Sequence, residues 1–186
     1  IGIVGIADPI RDDVSQAIDT CSGHAGVRVI MVTGDNSLTA CEIARLSGII
    51  SKDEGNPLTI TGSEFAAKSD EYLKKEILPT LRVLSRARPE DKVRLVTLLQ
   101  EMGEVVAVTG DGTNDAPALK KAQVGLSMGD GTARAKEASD VTIIDNSFSS
   151  INKGILWGRS LYLNIKRFIL FQMTINVCAC LIVLMG

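Results

Sequence analysis

The sequence predicts an α/β protein, a parallel sheet with helices on both faces, that runs on into one long C-terminal helix. Three apolar runs, Ile3 to Ala7, Val27 to Val32 and Val105 to Val108, are rich in β-branched residues and lack strict alternation, as strands covered on both faces do. Helical stretches separate the runs. From Ser149 onward the chain reads as a single helix, and no charged residue occurs from Phe168 to Met185.

Each element has a local reason. Asp8-Pro9 opens the first helix, because proline suits an initial helical position, and Val14, Ala17, Ile18 and Cys21 recur at three- and four-residue spacing. Asp35 is the expected cap of the second helix, which ends at Gly48. Ser51 to Leu81 is more polar, contains Gly55-Asn56-Pro57, and reads as a loop with short helices. Pro89 opens the next helix, with Glu90 and Asp91 in its first turn and Leu95, Val96 and Leu99 on one face. A weak strand is expected near Val141 to Ile144. The domain reading is a globular part over 1–148, a stalk over 149–167 and a transmembrane helix over 168–186. The 18 residues from Phe168 to Met185 rise about 27 Å, near the thickness of a bilayer's hydrocarbon core. Lys153, Arg159, Lys166 and Arg167 all precede them, which puts the globular part in the cytosol. The alternative is a buried C-terminal helix of a soluble protein.

With 45% apolar and 23% charged residues, the 186-residue chain is globular in composition, not disordered. A formal charge of -2 supplies no basic field for nucleic acid. The four cysteines form no CxxC pair and there is one histidine, so no zinc site is expected. All four cysteines, Cys21, Cys41, Cys178 and Cys180, read as small buried apolar residues in a reducing, cytosolic setting. A first residue other than methionine and a stop directly after an apolar run lead to the expectation of a fragment.

The chemistry gathers at strand ends. In an open parallel sheet, ligands bind outside the carboxyl ends of the strands, where helix N-termini offer free N–H groups. Two predicted strands end in the same tripeptide, Thr33-Gly34-Asp35 and Thr109-Gly110-Asp111, which combines close backbone approach, a hydroxyl and a carboxylate. Asp111 and Asp115 are hard oxygen donors suited to magnesium, although a turn residue and a helix-start carboxylate would look alike. Lys92 sits in the first turn of a helix, the unfavourable end of the dipole, where a bound anion would explain it.

The stretches "MVTGDN", "RARPEDK", "TGDGTNDAPALKKAQVGLSMG" and "AKEASD" resemble the second part of the phosphorylation domain of P-type ATPases, a haloacid dehalogenase-like, Rossmann-type fold. By that resemblance Thr33 and Gly34 would contact a phosphoryl group, Asp35 and Arg86 would lie against ATP, and Lys92 would balance charge on the transferring phosphate. Asp111 would hold Mg2+, with Asn114 and Asp115 supporting that site. "ADPIRDD" resembles the family's hinge, with Asp8 and Arg11 structural. The family's phosphorylated aspartate stands in Asp-Lys-Thr-Gly-Thr, which this sequence lacks, so the chain alone is expected not to turn over ATP.

"NIKRFILFQMTINVCACLIVLMG" is similar to the fifth transmembrane helix of calmodulin-regulated, plasma-membrane-type (type IIB) calcium pumps. The resemblance implies that Asn176 ligates Ca2+, and that Ala179, where endoplasmic-reticulum pumps carry glutamate, leaves one ion per cycle. Gln172 and Thr174 read as structural. Implied partners are ATP, Ca2+ and the lipid bilayer, with calmodulin acting through termini outside this chain. A soluble Mg2+-dependent phosphatase of the same fold and a non-catalytic truncated product remain as alternatives.

Overall fold

The computed structural model describes residues 10–51 and 58–186. The predicted strand Ile3 to Ala7, the Asp8-Pro9 opening and Gly55-Asn56-Pro57 lie outside the described residues. The chain divides into two compact units, one through Ser150 and one from Ile151 to Gly186.

In the first unit, α1 spans Asp12–Asp19 and continues as a wide π turn, Thr20–His24. Ala17, Ile18 and Cys21 are buried, as their spacing requires. Strand β1 is only Met31–Val32, the last two residues of the predicted run. Residues before it are engaged otherwise. Val27 N–H turns back to Cys21 O at 3.0 Å, and the Arg28 guanidinium donates to the carbonyls of Leu78 and Pro79.

Helix α2, Ser37–Leu46, is capped by Asn36 and not by Asp35. Asn36 Oδ1 accepts from Thr39 N–H at 2.9 Å, whereas the Asp35 carboxylate accepts from its neighbour Thr33 Oγ1 at 2.9 Å. The expectation was off by one residue because both side chains are good caps and the turn geometry selects between them. After α2, Gly48 takes φ +82, a left-handed C-terminal stop that glycine alone adopts without strain.

The segment from Ser51 to Leu81 corrects the sequence reading. It contains β2, Leu58–Thr61, α3, Gly62–Ala67, and α4, Asp70–Tyr72, which widens into a π turn over Leu73–Ile77; β3, Leu81–Ser85, follows. A four-residue strand has too few positions to show a period, and its support comes from pairing with β3. Thr61 and Glu64 form a reciprocal capping box on α3, Thr61 N–H reaching Glu64 Oε2 at 2.9 Å. That backbone donor, with the Thr61 hydroxyl, holds the Glu64 carboxyl below its ordinary range.

Helix α5, Pro89–Glu101, follows β3, and β4 is Ala107–Gly110. A 3-10 turn, Thr113–Asp115, leads into α6, Ala116–Lys121; then come β5, Val124–Met128, α7, Ala133–Ala138, and β6, Val141–Ile143. Among the described residues all strand pairs are parallel, in two sheets ordered β1-β3-β2 and β4-β5-β6. Among the described residues β1 pairs only with β3 and β4 only with β5.

Both faces of the first sheet are covered. Leu84 packs with Phe65, Leu73, Leu95, Leu98 and Leu99 on one side, while Val83 meets Ala40, Ala44 and Ile50 on the other. Each such large side chain contributes about 1.5–3 kcal/mol on full burial. On the second sheet, α6 lies so close to β5 that a Cβ at Gly125 would fall 2.8 Å from Leu119 O.

The second unit belongs to α8, Phe148–Met185, about 57 Å of helix. It is long and apolar enough to cross a membrane, with a mean hydropathy of 2.3 over its best 18 residues. Cys178 and Cys180 are exposed on it and Cys41 is half-buried, so only Cys21 of the four is buried as expected. Along its apolar stretch, 168–185, every side chain of α8 is exposed. Thr174 Oγ1 bonds back to Leu170 O at 2.8 Å, and Gln172 Nε2 approaches Asn176 Oδ1 at 3.4 Å.

Candidate functional site

The carboxyl ends of β1, β3 and β4 bring the predicted residues into two groups. In the first, the Thr33-Gly34-Asp35 turn is laced to the turn after β3: Arg86 N–H donates to Asp35 O and Ala87 N–H to Thr33 O, each at 2.9 Å. Thr33 Oγ1 also accepts from Asp35 N–H at 3.1 Å, which folds the turn on itself. Arg86 occupies φ +48, a left-handed conformation uncommon for a long side chain. Its side chain borders a surface hollow shared with Asn36, Ser37, Leu38, Thr61 and Ser63, an arrangement rich in hydroxyl and amide groups.

Gly62 makes this arrangement possible. A Cβ there would lie 2.5 Å from Arg86 O and 2.8 Å from the Asp91 carboxylate. Asp91, which the sequence offered only as a first-turn acid, is buried and accepts from Arg88 N–H at 2.9 Å, closing the start of α5.

The second group joins α5 to the loop after β4. Lys92 Nζ meets Asp115 Oδ1 at 2.6 Å, with the two side chains 20% and 18% exposed. The other oxygen of Asp115 accepts from Gly112 N–H at 3.2 Å. The unfavourable placement of Lys92 thus has a partner within the chain, and no anion is needed to account for it. A Cβ on Gly110 would lie 2.6 Å from Asp115 Cβ, so glycine is required for the carboxylate to stand over the strand end.

Asp111 differs. It is exposed, its backbone carbonyl accepts from Thr132 N–H at 2.8 Å, and its carboxylate has no hydrogen-bond partner among the described residues. Asn114 is exposed beside it in the 3-10 turn. No group of three or more His, Cys, Asp or Glu side chains gathers for a metal among the described residues. The donor set nevertheless fits magnesium, which takes one or two carboxylates and fills its octahedron with water and phosphate oxygens. Among the described residues the Asp111 carboxylate is free, and Asp115 is already committed to Lys92. Asn176 belongs to the second unit, halfway along the apolar part of α8.

Sequence reasoning passed over Asp130 and Asn146. Asp130 N–H donates to Asn146 Oδ1 at 3.0 Å, and Asn146 Nδ2 returns a bond to the Asp130 carboxylate at 2.5 Å. The available signal was Gly-Asp-Gly after a strand and an asparagine, a residue that tolerates the left-handed region, before a long helix.

A parallel α/β domain with glycine turns and a free carboxylate at its strand ends defines a class of proteins that bind ligands at the carboxyl edge of the sheet. The chain belongs to the haloacid dehalogenase-like hydrolase family, whose signature matches residues 1–123, and a second haloacid dehalogenase-like signature matches residues 93–155. It is similar to calcium-transporting ATPase 2 of Schizosaccharomyces pombe, 54% identical over 96% of this chain and 14% of that protein. A plasma-membrane-type calcium-transporting ATPase 3 of Oryza sativa subsp. japonica is 52% identical over 98% of this chain and 17% of its own length. The chain therefore spans less than a fifth of these relatives. Among solved structures, a zinc-transporting PIB-type ATPase in an E2.Pi state superposes with a TM-score of 0.66 at 30% identity, over 86% of this chain and 21% of that one.

Proposed function

We propose that this chain works as a segment of an ATP-driven pump that moves Ca2+ across a membrane through an aspartyl-phosphate intermediate. The observation that carries the reading is the identity of about one half with calcium-transporting ATPases over nearly the whole chain, α8 included. The membrane location and a cytosolic globular part rest on the same likeness and on the apolar stretch of α8.

In this reading Thr33 offers its hydroxyl and Gly34 its N–H to phosphoryl oxygens, while Asp35 and Arg86 lie beside the nucleotide. Lys92 balances charge on the phosphate and shares its ammonium with Asp115 in the resting site. Asp111 supplies the carboxylate for Mg2+, and Asn114 with Asp115 keeps the loop in place. When bound, the ion neutralises charge building on the transferring group. The chain's own residues position and polarise, since phosphoryl transfer asks mainly for those two services. Asn176 gives an amide oxygen to one Ca2+, with further ligands from outside this chain. Control by calmodulin would act through sequence beyond these 186 residues.

The test uses the longer polypeptide that carries this stretch, in sealed vesicles. ATP-dependent Ca2+ uptake is expected, and Asn176→Ala should abolish it; unchanged uptake in that variant removes the ion-site assignment. The 186-residue chain by itself contains no Asp-Lys-Thr-Gly-Thr and is expected to show no Mg2+-dependent ATP hydrolysis. Turnover by the isolated chain would contradict the assigned roles.

A further inference from the structure

We infer that Asn146 and Asp130 are positioning residues for Asp111, acting through the glycine-flanked turn between them. The inference rests on the reading of Asp111 as an oxygen donor to a divalent ion. Asn146 stands two residues before α8 and holds φ +53, where asparagine is among the few side chains tolerated. Its amide is oriented without ambiguity: a backbone N–H only donates and an ionised carboxylate only accepts, so Oδ1 faces Asp130 N–H and Nδ2 faces Asp130 Oδ2.

The turn so gripped is squeezed between Asn146 and Asp111. A Cβ at Gly129 would lie 3.1 Å from Asn146 Oδ1 and 2.8 Å from Ile144 O, and one at Gly131 would lie 3.3 Å from both Cα and O of Asp111. From the far side of the turn, Thr132 N–H donates to Asp111 O at 2.8 Å. Asn146 itself is anchored, because its carbonyl accepts from the Arg11 guanidinium. Directly after it, Ser147 Oγ donates to the Asp13 carboxylate at 2.7 Å. A contact path of fixed hydrogen bonds and close backbone packing thus leads from the residue preceding α8's cap to the backbone of Asp111. Among the described residues the exposed Asp111 side chain has no bond of its own to hold it, so its backbone placement decides where the carboxylate points.

Three substitutions test this in the longer polypeptide. Asn146→Gly keeps the left-handed backbone and deletes both side-chain bonds; Asp130→Ala deletes one of them; Asp130→Asn leaves an amide oxygen to accept from Nδ2. Asn146→Gly and Asp130→Ala should raise the Mg2+ concentration for half-maximal ATP hydrolysis about three- to ten-fold with little change in the KM for ATP, and Asp130→Asn should restore most of the loss. The Asn146→Gly/Asp130→Ala double variant should be no worse than the more affected single one. A second readout needs no catalysis: in the 186-residue chain in detergent, amide exchange at Thr132 should accelerate in Asn146→Gly and Asp130→Ala but not in Asp130→Asn. If Asn146→Gly leaves both the Mg2+ requirement and Thr132 protection unchanged, or if the two single effects add, the inference is overturned. If the unsubstituted longer protein shows no Mg2+-dependent hydrolysis, the proposed function fails, and Thr132 exchange alone decides the positioning role.

Discussion

The Lys92–Asp115 pair yields the most direct energetic prediction. At 2.6 Å and an effective dielectric constant near 20 the raw attraction is about 6 kcal/mol, most of it offset by desolvation and side-chain ordering. Exposed pairs retain about 0.2–1 kcal/mol, and breaking a fully buried pair costs about 3–5 kcal/mol. With each side chain about one-fifth exposed, the coupling should fall near 1.5–3 kcal/mol. The cycle compares Lys92→Met, Asp115→Asn and the double variant. Asp115→Asn should be the worse single change, since it strands an ammonium at the positive end of α5. The double variant should be less destabilised than the sum of the singles by the coupling energy. Equilibrium urea unfolding of the chain in a mild non-ionic detergent, followed by circular dichroism, would read a 2 kcal/mol change as a midpoint shift of about 1 M. Raising NaCl from about 0.05 to 0.5 M should alter the coupling little, because partly buried charges are weakly screened. A coupling under about 0.5 kcal/mol, or one lost in salt, would show that solvent holds Lys92 and refute the reasoning.

Two further outcomes follow from particular contacts. Gly62→Ala places a methyl against Arg86 O and the Asp91 carboxylate, and should destabilise the chain by about 1–3 kcal/mol in the same urea assay; a midpoint within error of the parent would count against this packing. The Asp13 carboxyl is lowered from its ordinary 3.8, chiefly by the Ser147 hydroxyl, and Glu64 from 4.5, chiefly by Thr61 N–H. Groups with depressed folded values contribute stability that is fully present above the unfolded value and is lost as pH falls through the folded one. The contribution of these two to the urea midpoint should therefore be present in full and constant between pH 7 and about 5, and the midpoint should decline more steeply below about 4.5 in the parent chain than in Glu64→Gln or Asp13→Asn. Identical slopes in all three would refute it.

Much of the architecture is carried by local chemistry. Pro89 with Glu90 and Asp91 sets the start of α5, the spacing of Leu95 and Leu99 sets its buried face, and the uncharged run after Arg167 sets the apolar stretch of α8. The Thr-Gly-Asp turns are legible too, because the same residues give glycine freedom, a hydroxyl and a carboxylate wherever they stand. Strands β2, β3 and β5 were not read, since four- or five-residue parallel strands gain their stability from ladders with partners far away in sequence.

The sequence by itself determined which residue types meet at the strand ends, because turn geometry and helix starts are properties of neighbours along the chain. Only the tertiary structure decided how the two aspartates divide their tasks. Asp115 is bound to Lys92, 23 positions earlier, and Asp111 is left free, with its backbone placed by Thr132 and by a turn that Asn146 grips. Such pairings depend on distances set by packed elements, and no local pattern encodes them.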